Sequence, residues 1–157
     1  MLKGTIKYNM INRIFFHRII VVALSSLCIY AQECSEEFTF YNELPETAII
    51  ICPGGCSESG DSCLSNIDLG VLDDIIFQNS LNYPDPINVG NQQWKYGRLI
   101  GLVASYNPNG SNGVNEQLTI LPESIGNLSE LKSIDLKLNS LNNLPNSFSQ
   151  LINLTSL

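Results

Sequence analysis

The chain reads as an α/β fold: a leading cap held by disulfides, then a horseshoe segment of a solenoid whose parallel strands line its concave face. Three observations predict it. Residues 118–157 repeat themselves at a step of 23, the segment 1–31 reads as an export signal, and the four cysteines beyond that signal crowd into positions 34–63. Three regions follow: a signal peptide at 1–31, an acidic cysteine-containing N-terminal cap at 32–97, and repeats at 98–157.

The first element is the signal. Lys3, Lys7, Arg13 and Arg18 precede an apolar run at 19–31. A helix that spans a bilayer takes about 20 apolar residues, so this run is too short. Ala31 offers a small residue for cleavage. The mature chain therefore begins near Gln32 and is secreted or displayed at the cell surface, with no membrane span. Met10 is an alternative start and an uncleaved anchor the competing reading. Leu27 is too large to precede a lipoprotein cysteine at Cys28.

Removing the signal leaves Cys34, Cys52, Cys56 and Cys63, an even number, and an oxidising compartment turns these into two disulfides. Three pairings are open. The turn Pro53-Gly54-Gly55 lets Cys52 and Cys56 approach each other or two outside partners. A four-thiolate zinc site is the alternative, but the gaps between these cysteines are irregular for zinc, so no metal is assigned.

The rest of the cap covers the apolar end of the repeats. FTFY and AIIIC have the aromatic and β-branched content of short strands. Asp68 stands as an N-cap before Leu69, Leu72, Ile75 and Ile76 at helical spacing, and Asn79 with Pro84-Asp85-Pro86 ends the pattern. Trp94 is expected in the cap core. Residues 32–94 hold 11 acidic side chains and no Lys or Arg, whereas 95–157 hold 4 of each sign. Nucleic acid is excluded as a partner by that balance. Glu36, Glu37, Glu58, Asp61, Asp73 and Asp74 never assemble a calcium loop and form a solvated acidic face.

The strands come next. In RLIGLVAS, Leu99, Leu102 and Ala104 share the spacing of LKSIDLKLNSL, which follows L-x-x-L-x-L-x-x-N-x-L with Ile134 in place of one Leu. Leu99 and Leu131 stand further apart than one step, and the excess falls in an insertion at 106–117 whose PNGSNG core is turn chemistry. Alternate strand residues face opposite sides, so Leu102, Ala104, Ile134 and Leu136 turn to the core. Gly101, Val103, Ser105, Ser133, Asp135, Lys137 and Ser156 then form the outward, ligand-binding row. Asn139 sits where the chain bends away and its amide can satisfy stranded backbone groups. Pro122 opens a short helix or 3₁₀ turn, with Ile125, Leu128 and Leu131 on one face. Pro145 recurs one step later among Leu141, Leu144, Phe148, Leu151, Leu154 and Leu157. The chain stops inside an expected strand and reads as C-terminally truncated.

This pattern resembles the leucine-rich repeat family, over about 60 of the 157 residues. LPESIGNLSEL is also similar to plant receptor repeats, but the 23-residue step fits the LP-type subclass. The resemblance implies a solenoid that binds other molecules through its concave face, and an asparagine ladder at Asn139. The order helix, Trp94, first strand is similar to the N-terminal cap of plant leucine-rich receptors, whose cysteines beside the Trp are missing here.

Catalysis finds no support. His17, the one histidine, lies in the signal, and no cofactor is called for. Sequons occur at Asn109, Asn127 and Asn153; the last two belong to the wording of the repeat itself. The expected function is recognition of a protein or glycan. The alternatives are a structural or adhesive surface protein, or the non-catalytic part of a larger enzyme.

Overall fold

The computed structural model describes residues 34–51, 63–109 and 112–157. The signal segment, Cys52, Cys56 and the tip of the insertion lie outside them. Among the described residues no helix is long and apolar enough to cross a membrane.

Among the described residues, six strands and one α-helix carry the fold. Strand β1 (Phe38–Phe40) pairs antiparallel with β3 (Cys63–Ser65). The larger sheet runs in the order β2 (Ala48–Ile51), β4 (Asn91–Lys95), β5 (Arg98–Val103), β6 (Ser133–Asp135). Only β4 and β5 are antiparallel there, because a tight hairpin joins them. Tyr96 and Gly97 form that turn with φ of 51° and 74°, the positive pair that matches the twist of adjacent strands. A Cβ on Gly97 would stand 2.6 Å from the Cys63 carbonyl oxygen, so glycine is required there. The Gly97 carbonyl accepts from the Ser65 N–H at 2.8 Å, which ties the two sheets together. The disulfide Cys34–Cys63 closes a separation of 29 residues beside the same strand. This bond is compatible with one of the three pairings open in the sequence, and it removes two thiolates from any four-cysteine zinc site.

Helix α1 (Asn66–Asn79) is N-capped by Ser65 and not by Asp68. Asp68 lies within the first turn, fully buried, where its carboxylate accepts from Arg98 and from the Leu99 N–H at the start of β5. Local spacing cannot reveal a partner so distant in sequence. The helix packs Leu69, Val71, Leu72 and Ile75 into a core shared with Leu64, Trp94, Leu99, Leu102, Leu118, Ile125, Leu128, Leu131 and Ile134. Gln92 is the polar member: its amide nitrogen donates to Pro86 and Val89 carbonyls and its oxygen accepts from Trp94 Nε1, all at 2.9 Å. A buried amide with every bond filled lets the polar segment Asn91–Lys95 run as an interior strand.

On either side of β6 the chain makes short 3₁₀ turns, Glu123–Asn127 before it and Asn146–Gln150 after it, each preceded by a proline in extended backbone. Hydrogen bonds join residues about one sequence step apart. The Thr155 N–H donates to Lys132 O at 2.8 Å, the Asn146 N–H to Glu123 Oε1 at 3.3 Å, and Asn153 Nδ2 to Ser129 O at 2.7 Å. The base of the insertion is anchored. Tyr106 bridges to a buried Val114, and Gly113 N–H donates to Asn91 Oδ1 at 2.7 Å.

Candidate ligand-binding face

Parallel pairing fixes which of the outward residues stand side by side. Gly101 is opposite Ser133, Val103 opposite Asp135, and a bridge sets Ser133 beside Ser156. On the other flank of β5, Gln93 is opposite Gly101. One row across the sheet therefore reads Gln93, Gly101, Ser133, Ser156. Val103, Ser105, Ser133 and Asp135 are half-buried, while Lys137 and Ser156 are exposed.

Gly101 departs from the sequence expectation. It is buried, since the side chains of Ser133 and Gln93 close over it; a Cβ there would lie 3.1 Å from Ser133 Oγ and 3.2 Å from Gln93 Oε1. Its place in the row is therefore covered by these two neighbours. Leu136 is likewise only half-buried, because β6 ends at Asp135 and the alternation stops there.

Charge on the face is internally compensated. Lys137 donates its backbone N–H at 3.0 Å and its Nζ at 3.1 Å to the Asp135 carboxylate. The backbone N–H first, and then the ammonium, hold Asp135 below the ordinary carboxylate range against a smaller opposing effect of burial.

Just beyond, Leu138 takes φ 62° and is 75% exposed. A left-handed backbone costs a bulky L-residue about 1–2 kcal/mol. Continued alternation would put Leu138 on the core face with Ile134 and Leu136; the left-handed turn sends it outward instead. The only sequence sign was an apolar residue wedged between Lys137 and Asn139. The bend itself is held by Asn139, whose Nδ2 donates to Ala104 O at 2.7 Å and Leu136 O at 2.9 Å, while its Oδ1 accepts from the Leu118 N–H at 2.9 Å. Asn79 does similar work at the end of α1. It donates to Ile75 and Ile120 carbonyls and accepts from the Thr119 and Ile120 N–H groups. Sequence reading gave Asn79 only the role of ending the helix.

Away from this face, a cleft of about 570 Å³ lies between Gln78, Thr119, Ile120, Asn142 and Leu144. Among the described residues no group of three His, Cys, Asp or Glu side chains is placed to hold a metal ion. No family model, no curated protein and no solved structure matches the chain.

Proposed function

We propose that the chain is a leucine-rich repeat recognition module, exported from the cell, that binds a protein or a glycan with the outward face of β5, β6 and the segment at Ser156. The observation that carries this reading is the register, which lines Gly101, Ser133 and Ser156 into one row although they come from three segments well separated along the chain. Side chains in such a row vary without disturbing the core, and their alignment makes one surface from several segments. Hydrogen bonds at the sequence step, and Asn139 reaching into the preceding segment, support the solenoid part of the reading. A disulfide near the first described residue is compatible with an oxidising compartment.

The test is direct binding. The purified chain is applied to a glycan array and to a phage-displayed library of random peptides, beside a Ser133→Trp variant that puts a bulky side chain in the middle of the row. Ligands that bind the parent and not the variant are expected. Ligands indifferent to Ser133→Trp would place recognition elsewhere.

A further inference from the structure

We propose that Leu138 is the apolar anchor of this face, and that the ligand it serves is a protein segment making an uncharged, apolar contact; this rests on the strand-face reading above. Leu138 occupies a backbone conformation, φ 62°, that glycine and asparagine adopt without penalty and leucine does not. At 75% exposure it recovers little of that strain through packing.

Nor does the bend need its side chain. The Leu138 carbonyl accepts from Gln117 Nε2 at 3.0 Å, a bond that any residue could make, and the rest of the turn is held by Asn139. A large apolar group kept where it strains the backbone and faces water is explained by a partner that buries it.

The surroundings specify the partner. Tyr106 donates its backbone N–H to Lys137 O at 3.0 Å, which seats a half-buried tyrosine at the neighbouring strand end, and Val103 stands opposite Asp135. An aliphatic side chain inside a polar border suits a protein contact. The border is present: Asp135 and Lys137 neutralise each other at 3.1 Å, so that pair offers no net charge to an ionic ligand. Sugars ask for hydrogen-bonding groups and flat aromatic faces, neither of which a leucine supplies.

Random dodecamer peptides selected on the purified chain, then remade synthetically, test the assignment against Leu138→Asn, Leu138→Gly, Leu138→Met and Ser133→Trp. The selected peptides are expected to carry apolar residues. Leu138→Asn and Leu138→Gly should weaken them by about tenfold or more while the melting temperature stays level or rises, and Leu138→Met should stay within about threefold. Equal affinity for the parent and the Asn and Gly variants, with Ser133→Trp still blocking, overturns the anchor and leaves the strand-face reading standing. A lower melting temperature in both variants makes Leu138 structural and also overturns it, as do binders found only among glycans. An absence of any binder, or binders indifferent to all four substitutions, overturns the strand-face reading and the anchor with it.

Discussion

Asp68 and Arg98 face each other two-pronged, with Arg98 Nη2 donating to Oδ1 and Nε to Oδ2, both at 2.9 Å, although 30 residues separate them. The carboxylate is fully buried and also takes the Leu99 N–H at 2.8 Å, while the guanidinium is 27% exposed and reaches Ser129 Oγ at 3.2 Å. One carboxylate thus fixes α1 to the first residues of β5. Asp68→Ala strands Leu99 N–H and the guanidinium, and Arg98→Ala leaves a buried charge alone. Each is expected to cost about 2–4 kcal/mol in urea unfolding, the lower end reflecting the partial exposure of Arg98. Arg98→Lys should not rescue, since an ammonium cannot match both oxygens. A loss below about 1 kcal/mol for Asp68→Ala would deny it this role.

How this pair escaped the sequence shows where local pattern stops. Period-two alternation in RLIGLVAS and LKSIDL separates Leu102, Ala104 and Ile134, which are buried, from Val103 and Asp135, which are not. That signal is local and strong. Asp68 looked like a cap because it precedes Leu69, and nothing nearby reported that Arg98 would claim its oxygens. Strand β4 is hidden for a different reason: NQQWK is polar, and alternation does not report that Gln92 is satisfied by Pro86, Val89 and Trp94 close by in the chain, or that β2 and β5 flank the strand. At the candidate face, alternation identified the row, whereas the burial of Gly101 and the outward turn of Leu138 depend on neighbouring side chains and on one dihedral angle.

If the chain is exported as proposed, oxidation should leave no free thiol in residues 32–157. Non-reducing peptide mapping is expected to recover Cys34 linked to Cys63, and therefore Cys52 linked to Cys56 if both of the expected disulfides form. With a sequence separation of 29, Cys34 and Cys63 constrain the unfolded chain enough to contribute about 3.5 kcal/mol in the chain-entropy picture. A Cys34→Ala, Cys63→Ala variant should lose most of that. A peptide joining Cys34 to Cys52 or Cys56 would contradict the pairing.

Acid should act on two carboxylates in opposite senses. Asp135 is held below its ordinary range, so its contribution is present above that range and fades as pH falls below about 4 toward its folded value. Asp73 is raised, by burial first and then by Asp85 and Asp74, so its charged form opposes folding at neutral pH and protonation relieves it. Asp73→Asn is expected to raise the melting temperature at pH 7 by about a degree or two, with the gain vanishing below about pH 3.5. Asp135→Asn should do the reverse at pH 7. Melting curves from pH 3 to pH 8 read both, and a gain for Asp73→Asn that persists at pH 3 would rule out the charge explanation.

Gly126 reports how closely the two 3₁₀ turns are stacked. It is buried in Glu123–Asn127, and a Cβ added there would lie 2.7 Å from Ser147 O, 2.9 Å from Ser147 Cβ and 2.5 Å from Gln150 Oε1, all in the turn one step later. The glutamine end could swing away; the Ser147 backbone could not without parting the turns. The same contact is reinforced by Glu123, whose carboxylate accepts the Asn146 and Ser147 N–H groups. Gly126→Ala is therefore expected to destabilise by about 1–3 kcal/mol, the usual cost of overfilling a packed site, although alanine is the better helix former. Ser149 is exposed in the following turn, and Ser149→Ala, a change of similar size, should stay within about 0.5 kcal/mol. If Gly126→Ala proves neutral or stabilising in urea unfolding, the turns are not packed at this distance and the stacking that the solenoid proposal relies on loses its tightest contact.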